Sequence, residues 1–308
     1  MDQGRFLGSG KLTKDKPSSN GEGFFIMKSF YQTKGKVISF GLFIFTLATV
    51  FFLKICGKPV TDELYLANTP IISEIAPEEE NKVESVILNI NERSNLIRNF
   101  GCDIEIQIDD GKRIVRLRAD LDYEKPIRFR MKTRSVLGSE SDLGSNDNIF
   151  WFWSKRMNPP ALHWALHTDL HKTRLKTPFN PMWIMESLSL GKVNEKADLR
   201  KTDKYWALTE RRVNTMGQLV NKMTLIDPQK ERIMGHYLFE RGQMVASTEI
   251  KEWTTVGGVS VPQKLVIIWH DEDVKLQWNL VNIRINTPID SRRWQMPDRS
   301  YKIDMGND

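Results

Sequence analysis

The period of the apolar positions changes near residue 101. Over residues 82–100 apolar side chains recur every three or four positions, which predicts an amphipathic helix, and Gly101 is placed to end it. After Gly101 apolar and charged residues alternate, which predicts strands with one apolar and one charged face, and Asp110-Gly111 marks a hairpin turn. The apolar positions of three successive strands are Ile104, Ile106 and Ile108; Val115, Leu117, Ala119 and Leu121; and Ile127, Phe129 and Met131. Consecutive strands of this kind predict an antiparallel meander.

The second half of the chain returns to the two-residue period. Six strands are predicted there, over residues 204–213, 218–226, 232–240, 244–253, 264–270 and 275–285. Between the two halves, residues 150–153 form an aromatic strand, residues 161–170 a short helix, and Trp183-Ile184-Met185 a helical turn that Gly191 closes. Strands do not alternate with helices, so no nucleotide-binding parallel sheet is expected. The predicted fold is mainly β, a large curved antiparallel sheet with a few helices.

Residues 37–56 are almost wholly apolar, follow Lys28, Lys34 and Lys36, and end at Cys56. The run is long enough to cross the ~30 Å hydrocarbon core of a bilayer as a helix. It also fits an export signal, and Cys56 allows lipid attachment, although Leu53-Lys54-Ile55 lacks the small residues that precede lipidated cysteines. Anchoring, lipidation and secretion therefore stay open, and all three place the rest of the chain in the cell envelope, on the periplasmic side of the inner or outer membrane.

This segment divides the chain into four regions. Residues 1–36 form a basic region expected to be disordered, and translation could begin at Met27, where a compact basic stretch starts. Residues 37–56 are the membrane or signal segment. Residues 57–81, with three prolines and an acidic run, form a linker. Residues 82–308 are long enough for one β domain, expected to be monomeric.

Composition narrows the function classes. The net charge is only +6, and basic and acidic residues alternate along the strands as on solvated faces, so nucleic-acid binding is not expected. With Cys56 at the membrane boundary, Cys102 remains as a lone thiol and fits buried packing. A disulfide framework is not supported.

Candidate catalytic groups are few. His163, His167 and His171 recur at spacings of four, so His163 and His167 could share a metal on one helix face. No cysteine cluster or metalloprotease glutamate accompanies them, which favours structural histidines. Ser145 lies in Gly144-Ser145-Asn146-Asp147, which fits a turn better than a nucleophile. We therefore expect no catalysis, no cofactor and no metal.

Several strings of the sequence together resemble one family. They are Asn99-Phe100-Gly101, residues 124–130 (EKPIRFR), residues 143–147 (LGSND), residues 150–153 (FWFW) and Met296-Pro297-Asp298. In this order they resemble the LolA/LolB-type lipoprotein carriers, specifically longer relatives of unassigned function, over residues 84–305. The resemblance implies an unclosed, strongly curved β half-barrel plugged by helices, with an apolar cavity that receives acyl chains of lipids or lipoproteins.

On this basis five side chains are predicted to line the cavity, with helix 82–100 as part of its lid. They are Ile106, Leu117, Phe129, Met131 and Trp151. The predicted function is a membrane-tethered, non-enzymatic carrier or acceptor of an acyl chain, lipid or lipoprotein, tethered through residues 37–56. The alternative is a structural or interaction protein of the envelope in which the same side chains fill a solid core.

Overall fold

The computed structural model of the protein describes residues 73–74, 79–173, 181–202, 204–214 and 217–307. The predictions for residues 1–36, for the segment 37–56 with Cys56, for the start at Met27 and for most of the linker 57–81 lie outside these residues. Within the described ranges, no helix has both the length and the apolar character that a bilayer span requires.

The described residues form fifteen strands of one sheet. They are β1 (Ser73–Glu74), β2 (Asn99–Asp109), β3 (Ile114–Glu124), β4 (Arg128–Ser135), β5 (Gly138–Ser145), β6 (Ile149–Ser154), β7 (Leu162–Leu166), β8 (Asp198–Lys201), β9 (Trp206–Val213), β10 (Leu219–Asp227), β11 (Arg232–Glu240), β12 (Gln243–Val256), β13 (Val259–Trp269), β14 (Val274–Ile285) and β15 (Lys302–Asp304). Their order across the sheet is β1-β8-β9-β10-β11-β12-β13-β14-β2-β3-β4-β5-β6-β7-β15. Neighbouring strands are antiparallel except β15, which runs parallel to β7. The described sheet is unclosed, and the predicted mainly β, antiparallel class is confirmed.

The strand register defines two faces. Ile106 of β2 lies opposite Leu117 of β3 and Trp278 of β14, and all three are buried. We call their side of the sheet the helix face, because helix α1 (Glu80–Leu96) and helix α2 (Pro181–Ser187) belong to clusters that pack on it. The alternate positions form the opposite face, where charged side chains predominate along β2 and β3.

The first helix ends earlier than predicted. It stops at Leu96 rather than at residue 100, and Gly101 is not its terminator. Asn286, just beyond β14, donates to the Leu96 carbonyl at 2.7 Å and accepts from the Arg98 N–H at 2.8 Å. These contacts satisfy groups at the helix end and turn the chain into β2. Gly101 lies inside β2, where a Cβ atom would approach the Asp122 carboxylate at 2.7 Å.

The predicted helix over residues 161–170 is wrong. Residues Leu162–Leu166 form β7, and His167–Lys172 form a short 3-10 helix. Pairing with β6 on one side and β15 on the other satisfies the backbone of β7, so tertiary pairing overrides local propensity. The six strands predicted in the second half are all present, with ends shifted by up to five residues.

Candidate functional site

Four of the five predicted cavity residues come together on the helix face. Ile106, Leu117, Phe129 and Met131 belong to one buried cluster, and none is more than 5% exposed. Their alternation along β2, β3 and β4 places them side by side across the sheet. The structure therefore confirms that they share a buried apolar face, while their part in ligand binding stays a prediction.

Trp151 does not belong with them. In the strand register Trp151 pairs with Gly144, and Gly144 pairs with Arg130, so these three residues share one face of the sheet. Met131, the next residue after Arg130, points to the other face. It packs with Trp153 in a separate buried cluster, and its ring lies 5.8 Å from the Arg130 guanidinium carbon. The continuous aromatic run of residues 150–153 hid this difference, because both faces of β6 are buried. Trp151 therefore does not lie on the face where the cavity was predicted.

The chain around α2 adds large side chains to the main core on the helix face. Trp183 and Met185 of α2, and Leu188 and Leu190 after it, are buried in the same cluster as Ile106. Helix α2, predicted only as a helical turn, supplies Trp183 and Met185, and the first helix as part of a lid over this region stays a prediction. The four predicted cavity residues and these large side chains are therefore parts of one packed core.

Helix α1 covers a different part of the sheet. Val83, Val86, Ile87 and Ile90 recur at helical spacing and are buried against side chains of β9–β12. Those partners are Trp206, Leu208, Ile226, Ile233 and Ile250, together with Val193. This group, which we call the α1 cluster, is separate from the main core.

Polar contacts fix the second half of α1. Asn91 accepts from the Val193 N–H at 2.8 Å and donates to the Val193 carbonyl at 3.2 Å. Ser94 donates to the Leu190 carbonyl at 2.9 Å, and Asn89 donates to Glu231 at 3.2 Å. Helix α1 is thus tied to the segment that follows α2, and the two form one cover over the sheet.

Two small cavities lie beneath this cover. One of about 40 Å³ is lined by Ile90, Ser189 and Trp253, and one of about 20 Å³ is lined by Ser189, Val193 and His236. Each is close to the ~30 Å³ that one water molecule occupies in the liquid. In this closed arrangement neither cavity has room for an acyl chain.

A buried charged group lies on the helix face of β9 and β10. The side chain of Lys222 is 95% buried, and its Nζ lies 2.9 Å from the Glu186 carboxylate and 3.6 Å from the Glu210 carboxylate. Arg212 contacts the same two carboxylates. Burial acts to raise the pKa of Glu186, but Lys222 and Arg212 outweigh it and hold the pKa below its usual value. The signal in the sequence was Lys222 itself, which occupies an apolar position in the alternation Val220, Lys222, Thr224, Ile226.

His236 is enclosed beside this group. Its Nε2 lies 2.9 Å from Ser189 Oγ and its Nδ1 lies 3.1 Å from Thr224 Oγ1. Complete burial lowers the pKa of His236 well below 6.5, and the charges of Lys222 and Arg212 lower it further. The imidazole is therefore neutral and serves as a hydrogen-bonding core residue.

Acidification should destabilise the protein through His236. Below the unfolded-state pKa of 6.5 the unfolded chain binds a proton that the folded chain does not, so the free energy of unfolding falls as pH falls. Each pH unit in this window costs about 1.4 kcal/mol. We expect urea denaturation at pH 7.5 and 5.5 to show this loss, and His236→Gln to reduce it. Burial also lowers the pKa of His270, so a smaller dependence of the free energy of unfolding on pH remains in the His236→Gln variant. Equal slopes in both proteins would contradict this assignment.

The helical spacing on which the metal hypothesis rests does not exist, since residues 162–166 form a strand. His163 is buried on β7 and stacks on Phe152, with ring centroids 4.8 Å apart. His167 begins the 3-10 helix, and its Nε2 lies 2.9 Å from the Asn146 carbonyl oxygen and 3.2 Å from Ser145 Oγ. Among the described residues, no group of three histidine, cysteine or carboxylate side chains could hold a metal ion.

The remaining lone thiol is structural. Cys102 is fully buried on the helix face of β2, and burial raises the pKa of its thiol far above the usual range. The thiol is protonated and is one of the packed side chains of the main core.

No protein-family model and no curated protein matches the chain. Solved structures do match. One is a DUF1329 family protein from Desulfovibrio piger, 8% identical, with a TM-score of 0.49 over 68% of this chain and 95% of that chain. Another is a LolA superfamily protein from Nitrosomonas europaea, 8% identical, with a TM-score of 0.46 over 68% and 97%. A third, from Vibrio parahaemolyticus, is named for outer membrane lipoprotein sorting and is 9% identical, with a TM-score of 0.44 over 68% and 94%. Solved structures of the DUF1329 family and of the LolA superfamily are thus among those to which this chain is similar.

Proposed function

We propose that the protein binds an acyl chain of a lipid or lipoprotein beneath α1, without catalysis, as a membrane-tethered protein of the cell envelope. The observation that carries this proposal is the α1 cluster. An amphipathic helix covers an apolar part of the sheet that is separate from the main core, and a cavity already lies at that boundary. A cover of this kind can move while the main core stays packed.

The binding step is a replacement of one apolar surface by another. When α1 moves, Trp206, Leu208 and Ile233 lose the cover that Ile87 and Ile90 provide. An acyl chain lying in the same place would restore the lost apolar contact. Each CH₂ group that leaves water contributes about 0.8 kcal/mol, so a long chain can offset the displacement of the helix. No catalytic group is needed.

A second candidate is supported by a different observation. Among the described residues, the two cavities beneath α1 measure only about 40 and 20 Å³, which supports a filled interior. A protein with a solid core would serve as a structural or interaction component of the envelope. The two candidates differ in one measurable property, the uptake of an acyl chain.

We expect Ile233→Glu to abolish acyl binding. Ile233 is 3% exposed and borders both cavities, so a carboxylate there would meet the bound chain without water. Burying that charge should weaken binding at least about a hundredfold. The full-length protein would be photolabelled with a diazirine-bearing palmitic acid, and the labelled peptides identified by mass spectrometry.

The matched control is Met234→Glu, the next residue on β11, whose side chain points to the other face. It should keep the label, which we expect on α1 and on β9–β12. Circular dichroism would show that both variants fold. Absence of labelling in the unmodified protein would favour the solid-core candidate, and equal labelling of Ile233→Glu would place the acyl chain elsewhere.

A further inference from the structure

A groove crosses the face of the sheet opposite to α1. Its volume is about 1170 Å³, and it runs over β4, β3, β2, β14, β13 and β12. Its charged lining consists of five cations and one carboxylate, namely Arg116, Arg118, Arg134, Lys251, Lys264 and Glu105. We propose that this groove is a second binding site, for a soluble ligand that carries two or more phosphate groups.

The groove is open and distinct from the proposed acyl site. Leu117, whose side chain is on the helix face, is 5% exposed, whereas its neighbours Arg116 and Arg118 point to the other side. Within β14 the same alternation buries Trp278 and leaves Gln277 exposed. The charged side chains therefore face solvent, with the thickness of the sheet between them and the α1 cluster.

The arginines of the groove lack sufficient acidic partners. Asp120 lies 3.5 Å from Arg134, but it also pairs with Arg293, which lies closer. Arg118 lies directly opposite Arg134 in the register, an arrangement in which like charges repel. Within the described part of the chain, Arg116 and Arg118 make no ion pair. Glu105 lies opposite Arg118 on β2, where it accepts a hydrogen bond from Asn279. Three guanidinium groups thus face two carboxylates, Asp120 and Glu105, each of which has another partner.

The lysines of the groove are better compensated. Lys251 lies 2.6 Å from Glu249, and Lys264 lies 2.9 Å from Glu252. The unmet positive charge is therefore concentrated at the arginine end, on β3 and β4. An anion that binds there removes the repulsion between facing arginines and gains charge-assisted hydrogen bonds.

Phosphate is the anion that this end fits best. A guanidinium group binds phosphate through two parallel hydrogen bonds, and the negative charge of one phosphate group can neutralise more than one arginine. The half-buried amides of Gln107 and Asn279 continue the groove and can hydrogen-bond to hydroxyl groups of a ligand. A flat bilayer would meet the rim of the groove but not this floor. The shape therefore favours a discrete soluble ligand over a membrane surface.

Titration calorimetry with sodium tripolyphosphate tests the proposal on the full-length protein in a nonionic detergent at low salt. We expect saturable binding that weakens as salt is raised. Arg118→Gln and Arg134→Gln should each weaken it about tenfold, because each removes a charge-assisted contact. The matched control is Arg113→Gln, an exposed arginine in the β2–β3 turn outside the groove, which should leave the affinity unchanged.

Four results would overturn the proposal. The first is no binding at low salt, and the second is an equal loss of affinity in Arg113→Gln, which would show unspecific attraction. The third is equal affinity for hexaglutamate, which would show that phosphate is not preferred, and the fourth is binding to phosphatidylglycerol vesicles without binding to tripolyphosphate, which would make the face a membrane contact. None of these outcomes depends on acyl photolabelling, so the two sites are tested separately.

Discussion

Replacing Lys222 by methionine should lower the free energy of unfolding by about 3–5 kcal/mol, because it removes the most deeply buried cation from the two carboxylates of Glu186 and Glu210. The Lys222 side chain is 5% exposed, and Glu186, 2.9 Å away, is 18% exposed. Arg212 still reaches Glu186, but it is shared with Glu210. Urea denaturation at pH 7.5 would measure the loss.

Two further variants show whether burial is the cause. Lys264→Met breaks the ion pair with Glu252, in which both side chains are about half exposed, so it should cost less than about 1 kcal/mol. Adding Glu186→Leu to Lys222→Met should recover part of the loss, since an apolar pair can replace a buried ion pair. Similar losses for Lys222→Met and Lys264→Met would show that Lys222 is not held as a buried charge.

Hydrophobic periodicity identified most of the sheet, because a strand with one apolar and one polar face shows alternating apolar and polar residues in its own sequence. It was sufficient for the meander of β2, β3 and β4 and for the six strands of the second half. It missed β5 (Gly138–Ser145), whose sequence GSESDLGS contains one large apolar residue. That strand forms because β4 and β6 pair with it on both sides, and such neighbours are not visible in a local window.

The candidate site was predicted less completely than the fold. Alternation placed Ile106, Leu117, Phe129 and Met131 on one face, but it could not assign Trp151, because β6 is buried on both faces. Which helix covers which strands is a matter of long-range packing. The assignment of α2 to the main core and of α1 to β9–β12 therefore required the three-dimensional structure.

Three of the strings behind the family resemblance have side chains that meet on the face opposite to α1, where Arg130 lies over Trp151 and Met296 packs on the Trp151 cluster. Arg130 binds Asp142 through two hydrogen bonds of 3.0 and 2.7 Å, and it donates to the backbone carbonyls of Arg293 and Gln295. Both side chains of the ion pair are less than 10% exposed. Strands β4 and β5 are thereby joined to the C-terminal segment that covers this face. These contacts of Arg130 hold the C-terminal segment against β4 and β5.

Asp142→Ala should therefore lower the free energy of unfolding by about 3–5 kcal/mol, because Arg130 would stay buried without its counter-ion. The control Asp147→Ala removes a more exposed partner of Arg128 and should cost less than about 1 kcal/mol. Stability alone does not show that the C-terminal segment is held through Arg130. We expect that limited trypsin digestion at Arg292 and Arg293 will be faster in Asp142→Ala than in Asp147→Ala, since a displaced Arg130 no longer binds the Arg293 and Gln295 carbonyls. A large loss of stability with unchanged cleavage there would mean that Asp142 supports the sheet alone and that other contacts hold the segment.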